Sequence, residues 1–188
     1  GEIARVYRAE VEGKIKAAPV AIKVPKKPVQ NALVLHEQEV LEEVKHAALP
    51  VLSDRFELED GRVASVFEFV DGLDLQELRS MAAYRHGIQP HFHIGWFLER
   101  LLGVLGALHK KMVIHGNLQP KHLLIKRMSS TVLDHAVILI DFCWARYNPT
   151  EFDRIKIFTH HYSAPEIKRG APPLPGMDIY SLGKCAVY

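Results

Sequence analysis

Most of the strand-like apolar segments of this chain lie before residue 70, and this distribution constrains the fold more than any other feature of the sequence. Before it, four segments alternate or run apolar over the length of a strand: 3–9, 19–24, 51–58 and 62–69. After it, the clearest pattern is helical, from Ile94 to Leu108. The sequence therefore predicts an α+β protein with a small lobe rich in strands and a second, mainly helical lobe.

Local signals place the elements within this division. The spacing of apolar residues predicts a helix from Asn31 to His46, with Asn31 as its N-terminal cap. Asp60-Gly61 stands between two strand segments and predicts a hairpin. Val70-Asp71-Gly72 interrupts the pattern, so we assign an N-lobe to 1–69, a hinge to 70–73 and a C-lobe to 74–188.

The C-lobe pattern predicts one long helix and two short strands. The helix carries an apolar stripe that we expect in the core: Ile94, Phe97, Leu98, Leu101, Leu102, Leu105 and Leu108. The strands are expected at 123–126 and 136–140, on either side of a turn at 128–134.

Composition excludes several classes of function. The 188 residues are 48% hydrophobic and 24% charged, which is typical of a globular protein with a sizeable core. The net charge of +2 gives no reason to expect nucleic acid as a partner, and no apolar run is long enough to predict a membrane segment. Two cysteines do not make a disulfide framework, so we expect reduced thiols and a cytoplasmic protein.

The segment from Val113 to Ile125, VIHGNLQPKHLLI, carries the strongest functional signal. It resembles the catalytic-loop pattern of protein kinases, H-R-D-L-x-x-x-N, in which the Asp is the catalytic base and the Asn holds a metal ion. In this chain the Arg position is Gly116, the Asp position is Asn117 and the Asn position is His122. A neutral amide such as Asn117 cannot accept the proton that a carboxylate accepts.

Further motifs follow in the order that protein kinases have them. They are Ala21-Ile22-Lys23, Asp141-Phe142-Cys143, Ala164-Pro165-Glu166, and Asp178-Ile179-Tyr180-Ser181-Leu182-Gly183. The chain is therefore similar to the protein kinase superfamily, and most similar to its serine/threonine branch. The resemblance implies a bilobal kinase-like fold that is truncated at both ends. It would start within the glycine-rich loop at Gly1 and lack the last helices of the C-lobe.

The resemblance implies a charged cluster between the lobes. Lys23 would pair with Glu37 and contact the phosphates of ATP, with Glu39 as the alternative partner on another helix face. A Lys in the middle of an apolar strand needs such a partner. Asp141 directly follows the apolar run 137–140 and would hold Mg²⁺ weakly, as the one remaining metal ligand.

The resemblance also implies where the nucleotide would lie. The residues expected to bind it are Gly1, Val6, Ala21, Lys23, Glu37, Glu68, Val70, Leu124 and Asp141. Of these, Val6, Ala21 and Leu124 would enclose adenine, while Glu68 and Val70 would offer hinge hydrogen bonds. Phe67 would narrow the back of the pocket. Ala4 replaces a glycine of the phosphate-binding loop and weakens its approach to phosphate.

Three departures from the family pattern bear on catalysis: Asn117, Gln119 and His122. Gln119 replaces a Lys that stabilises the transferring phosphoryl group, and His122 is expected to fill the metal position. We therefore expect a pseudokinase that binds ATP weakly or not at all and works through protein partners. The alternatives are an active Ser/Thr kinase with an atypical mechanism and, because His115-Gly116-Asn117-Leu118 resembles H-G-D-L, a small-molecule phosphotransferase.

Overall fold

The computed structural model describes residues 3–10, 18–82, 91–127 and 135–187. The strands in these ranges are β1 Ala4–Ala9, β2 Val20–Pro25, β3 Leu52–Glu57, β4 Val63–Glu68, β5 Gly72–Asp74, β6 Val113–Ile114, β7 Leu123–Arg127, β8 His135–Leu139 and β9 Arg146–Tyr147. The helices are α1 Asn31–Glu43, α2 Leu75–Ser80, α3 His91–Lys110, α4 Pro165–Lys168 and α5 Pro175–Ala186. The mixed α+β architecture is confirmed, whereas the turn predicted at 128–134 lies outside the described residues.

The first four strands form one antiparallel sheet in the order β1-β2-β4-β3. The hairpin between β3 and β4 turns at Gly61 as predicted, where φ is +79°. A glycine adopts this left-handed conformation without the steric cost that a Cβ brings. The sheet places β2 in an inner position, so the Lys23 backbone is paired on both sides, with Val6 and with Ser65.

Helix α1 packs on this sheet through Val34, Val40 and Leu41, which are all nearly fully buried. The prediction that Asn31 caps the helix is wrong, because Gln30 occupies the cap position and Asn31 lies in the first turn. Its side chain instead bonds the β3–β4 hairpin, with Nδ2 2.7 Å from Gly61 O and Oδ1 3.1 Å from Val63 N. The amide therefore fixes the helix to the sheet.

A second sheet, with the strand order β5-β7-β8, lies in the C-lobe. Gly72 and Leu73, which the sequence assigns to the hinge, belong to β5 and pair with Lys126 and Ile125 of β7. A Cβ at residue 72 would lie 2.6 Å from the Ile125 carbonyl oxygen, so only glycine fits there. The two lobes are thus joined by a short connection that ends in a close backbone contact.

The long helix α3 supplies the centre of the C-lobe core. The prediction of one apolar stripe is confirmed at Phe97, Leu101, Leu105 and Leu108, which are 0–7% exposed. It is wrong for Leu102, which is 48% exposed. Successive helical residues are rotated by ~100°, so Leu102 lies beside the buried line rather than on it. Of the helices that the structure describes, none combines the length and apolar character needed to span a membrane.

Candidate nucleotide and phosphotransfer site

Lys23 is the centre of a buried charged cluster between the two lobes. Its ammonium lies 2.7 Å from Glu37 Oε2 and 2.7 Å from Asp141 Oδ1. The predicted ion pair with Glu37 is confirmed, and Glu39, the alternative partner, has a side chain that is 75% exposed. Helix α1 and the segment after β8 thus converge on one strand residue.

The two carboxylates keep Lys23 charged in spite of its burial. Burial alone lowers the pKa of an ammonium group, but Glu37 and Asp141 together raise the pKa of Lys23 well above its ordinary value. Glu37 also accepts a hydrogen bond from the Phe142 backbone amide at 2.8 Å. The carboxylate therefore holds both the lysine and the backbone next to Asp141.

Asp141 is contacted by a basic group at each carboxylate oxygen. Oδ1 binds Lys23, and Oδ2 lies 3.1 Å from Nε2 of His122. Burial would raise the pKa of Asp141, but Lys23 and His122 hold it well below its usual range. The residue has a φ of +69°, a left-handed conformation that Asp tolerates better than most residues. The carboxylate is therefore ionised and contacts a basic group at each oxygen, while its side chain stays 26% exposed.

The polar loop after β6 contains a closed network of neutral groups. Asn117 and Gln119 are buried, and Gln119 Nε2 donates to Asn117 Oδ1 at 3.0 Å. Thr159 contributes a second donor, with Oγ1 3.4 Å from the same oxygen. An amide pair stands where the family pattern has a carboxylate and an ammonium. Hydrogen bonds between neutral side chains therefore connect this loop, which has neither a carboxylate base nor a cation at these two positions.

Asp178 of α5 binds the backbone of this polar loop. The sequence motif at 178–183, to which Asp178 belongs, did not predict this role. Its Oδ2 accepts from the His115 backbone amide at 2.9 Å, and its Oδ1 accepts from the Gly116 amide at 2.8 Å. His109 Nε2 lies 3.0 Å from the same carboxylate. Asp178 is only 1% exposed, so these donors replace the water that it has lost.

Gly116 marks the place where the family pattern has an arginine. Its φ is +71°, and a Cβ there would lie 3.0 Å from Cδ1 of Ile155. Ile155 belongs to a small apolar cluster with Ile114, Ala164 and others, so an apolar side chain occupies the space beside the loop. The segment after β9 is therefore held by packing at this point.

Cys143 completes the cluster around Lys23. Its sulfur lies 3.2 Å from the Lys23 ammonium and 3.6 Å from Glu37 Oε2. Burial and the Glu37 carboxylate raise the pKa of the thiol far above its usual value, so the sulfur stays protonated. Among the described residues Glu37, Asp141 and Cys143 form the group with metal-ligand spacing, but Lys23 contacts all three with its own positive charge.

Strand register places the residues of the first sheet that are expected to enclose adenine on the same face of that sheet as Lys23. Val6 is paired with Lys23 across the sheet, and Ala21 lies two residues before it on β2. Paired residues and residues two apart share one face of a sheet. Phe67, opposite Ala21, belongs to the same face and is buried. Leu124 alternates with the fully buried Leu123 on β7 and therefore faces away from the C-lobe core.

The remaining residues of the predicted nucleotide site are less informative. Glu68 is exposed at the end of β4, and its backbone amide donates to Val51 O at 3.0 Å. Val70 is half-buried in the connection between the lobes. Ala4 is buried within β1. Gly1 lies outside the described residues.

A strand-rich lobe, a helical lobe and a lysine–carboxylate cluster between them define the kinase class of folds. The sequence model of the protein kinase domain matches residues 1–188. The chain therefore belongs to the protein kinase family.

Curated relatives agree with this assignment. The chain is 28% identical to the human serine/threonine-protein kinase Nek5, over all of the chain and 26% of that protein. It is 26% identical to human calcium/calmodulin-dependent protein kinase type IV, over 97% of the chain and 37% of the relative. It is 28% identical to the rat serine/threonine-protein kinase ULK3, over 97% of the chain and 38% of the relative. The chain thus spans about a quarter to two-fifths of the length of these relatives.

Proposed function

We propose that this chain is a pseudokinase: a protein kinase domain that has lost phosphate transfer, binds a nucleotide weakly and acts by binding protein partners. The observation that carries the proposal is Asn117 at the position of the catalytic base. Its amide oxygen is buried and accepts from Gln119 and Thr159. An amide lacks the basicity to take a proton from a substrate hydroxyl, and general base catalysis is typically worth about 10²–10⁴-fold in rate.

The same geometry supports retained nucleotide binding. Lys23 keeps a positive charge that would hold phosphate oxygens, and Val6 and Ala21 lie on its face of the sheet, where they would contact a base. ATP, when bound, supplies the phosphoryl group that active relatives transfer. Gln119 and His122 remove a cation and a metal ligand that the family uses near the phosphates. We therefore expect an affinity below that of active kinases.

The alternative of an active kinase is supported by the intact cluster of Lys23, Glu37 and Asp141. Phosphate transfer depends mainly on positioning and charge, so an enzyme can retain some rate without its base. A small-molecule phosphotransferase has less support, because the protein kinase domain model matches along the whole chain. The proposal of a pseudokinase explains all three changes in the polar loop with one cause.

A transfer assay tests the proposal. Purified protein is incubated with radiolabelled ATP, a divalent cation and a general protein substrate, beside the variant Asp141→Ala. We expect the two proteins to show the same background incorporation. Turnover of roughly 1–100 per second, the range of active kinases, that is lost in Asp141→Ala would instead establish an enzyme.

Protein partners and a cytoplasmic location belong to the same proposal. Without transfer, binding is the function that a kinase domain retains. Cys143 and Cys185 are both free and buried, as expected in a reducing compartment. Affinity purification of the full-length protein from its own cells, compared with a Lys23→Met variant, would show whether a partner depends on the intact cluster. A partner that binds both proteins equally would contradict control by this site.

A further inference from the structure

One exposed aromatic side chain projects from a turn that is fixed by its own hydrogen bonds. Phe152 is 82% exposed. The Asp153 carboxylate accepts from the Thr150 amide and from the Thr150 hydroxyl, both at 2.8 Å. The same hydroxyl accepts from the Phe152 amide at 3.3 Å. We call the turn 150–154 the Phe152 knob, and its internal bonds mean that little further ordering is needed when it binds.

The knob is also anchored to the body of the C-lobe. The Arg146 guanidinium donates to the Arg154 carbonyl oxygen, from Nε at 3.2 Å and from Nη2 at 2.9 Å. The next residue, Ile155, is 7% exposed and belongs to the apolar cluster beside the polar loop. Because the turn is held at its base, Phe152 has the properties of an aromatic anchor at a protein interface.

A small groove lies in the connection between α1 and β3. It has a volume of about 350 Å³, and its apolar lining consists of Val44, Ala47, Leu49, Pro50 and Val51. The connection is bonded to neighbouring strands, since Ala48 O accepts from the Leu139 amide at 2.9 Å and Val51 O accepts from the Glu68 amide at 3.0 Å. Pockets for small molecules start at about 300 Å³. The groove therefore has room for one aromatic side chain.

The polar groups beside the knob and the groove are complementary. Glu151 is exposed next to the aromatic ring of the knob. Lys45 and His46 line the groove, and Lys45 uses only one of its three N–H groups, on Leu41 O at 2.9 Å. His46 Nδ1 accepts from the Ala48 amide at 3.1 Å, so even the neutral ring has an N–H at Nε2 to donate. An acidic knob thus matches a groove rich in donors.

The knob and the groove lie on neighbouring surfaces of the chain. The Tyr147 hydroxyl donates to the Glu43 carboxylate at 3.5 Å. Tyr147 precedes Phe152 by five residues, and Glu43 directly precedes the first residue of the groove. The high exposure of Phe152 shows that the described part of its own chain leaves it uncovered. Two such features close together allow a twofold arrangement, in which each copy offers both of them to the other.

We propose that this chain forms a symmetric pair with a second copy of itself, in which Phe152 of each copy enters the groove of the other. Glu151 then faces Lys45 and His46 across the contact. The inference is separate from the proposed function, because the pair requires neither a bound nucleotide nor the loss of phosphate transfer. Interfaces that bury less than about 1,200 Å² are typically weak and transient, so we expect a pair that dissociates on dilution.

Sedimentation velocity on the whole chain, over a series of concentrations, tests the pair. We expect the wild type to shift reversibly from one copy to two as its concentration rises. Phe152→Ser and Val51→Asp should each weaken the association at least about tenfold, the scale of losing an aromatic anchor or its pocket. Val29→Ser is the matched control, because Val29 is 83% exposed and lies outside both features. It should associate as the wild type does.

A mixture of the two defective variants distinguishes this pair from any other self-association. The Val51→Asp copy keeps its knob and the Phe152→Ser copy keeps its groove, so a mixed pair regains one of the two contacts. We expect the equimolar mixture to associate more strongly than either variant alone and less strongly than the wild type.

Three results would overturn the inference. They are a wild type that stays a single copy at every concentration, an association that Phe152→Ser leaves unchanged, and a mixture no stronger than its components. The melting transition of each variant, recorded beforehand, shows that the proteins compared are folded.

Discussion

Lys23 is 9% exposed, and its ammonium contacts two carboxylates and a thiol in place of water. Replacing it with methionine leaves Glu37 as a buried charge without its counterion and removes one of the two basic groups that contact Asp141. Breaking one side of a buried ion pair typically costs about 3–5 kcal/mol. We expect Lys23→Met to lose that amount of unfolding free energy in denaturant titrations.

The exposed Glu39 provides the matched control for this prediction. Its side chain is 75% exposed, and its contact with His36 is at 3.8 Å. Substitutions at such surface positions usually change stability by less than about 0.5 kcal/mol. Equal losses for Lys23→Met and Glu39→Gln would show that the cluster contributes little to the folded state.

His115 differs from His122 in what its ring faces. Its Nε2 donates to Ile140 O at 3.1 Å, and its Nδ1 accepts from the Asn117 amide at 3.3 Å, so the neutral ring satisfies both. Burial lowers the pKa of His115 from its ordinary 6.5, and His122 acts in the same direction against the opposing effect of Asp178. The unfolded chain therefore binds more protons at this residue than the folded chain does.

This difference in proton binding predicts a loss of stability on acidification. The unfolding free energy should fall as the pH drops below about 6.5, the ordinary histidine value, until the lower folded pKa is reached. One such group contributes a slope of up to about 1.4 kcal/mol per pH unit. We expect denaturant titrations between pH 7 and pH 5 to show a smaller slope for His115→Leu. Identical slopes would contradict a buried neutral His115.

At the scale of elements, the contact between β5 and β7 depends on Gly72. A Cβ there would lie 2.6 Å from the Ile125 carbonyl oxygen and 3.0 Å from its carbon, and neither backbone atom can move without disturbing the sheet. We expect Gly72→Ala to destabilise the protein by about 1–3 kcal/mol, the usual cost of overpacking. Thermal or denaturant unfolding measures the change.

Gly183 in α5 is the control for the same substitution. A Cβ at Gly183 meets nothing within 4 Å. Alanine in an exposed helix position is favoured over glycine by roughly 0.5–1 kcal/mol. Gly183→Ala should therefore keep or raise stability, and a loss as large as that of Gly72→Ala would point to a cause other than the close contact at Ile125.

The spacing of apolar residues predicted which helices and strands form. It predicted less well where these elements end and which of their residues are exposed. Helix α1 was expected to reach His46 but ends at Glu43, because Val44 adopts an extended conformation with φ of −120°. Asparagine is a common helix-capping residue, yet the side-chain amide of Asn31 donates a hydrogen bond to a hairpin 30 residues away in sequence. Leu102 fits the apolar spacing of α3 but lies beside the buried line. Each outcome depends on tertiary contacts that a local pattern does not contain.

At the scale of the whole molecule, the motifs indicated which residues converge but not how they are bonded. Lys23, Glu37 and Asp141 meet as the family spacing predicted. The contacts of Thr159 with Asn117, and of Asp178 with the polar loop, join segments 42 and 62–63 residues apart in sequence. Hydrogen bonds over such separations follow from the packing of the C-lobe, so no local signal could have predicted them.

The three changes at the polar loop should act as one unit. Asn117→Asp restores a base, Gln119→Lys a cation and His122→Asn a metal ligand, but each alone leaves the other two defects. A lone carboxylate at residue 117 would also lack a cationic partner, because the Gln119 amide is neutral. Residues that act together in catalysis show strongly non-additive effects. We therefore expect each single variant to remain at background in the radiolabelled transfer assay.

The triple variant Asn117→Asp, Gln119→Lys, His122→Asn is expected to transfer phosphate at least about 10²-fold above that background, the lower range for a restored general base. Adding Asp141→Ala to the triple variant should abolish the gain, because the restored metal site needs that carboxylate. The Asn117–Gln119 contact is already at 3.0 Å, so the restored ion pair fits the existing geometry. A folded triple variant that stays at background would show that the loss of transfer lies elsewhere in the chain, with Ala4 and Cys143 as the next positions to revert.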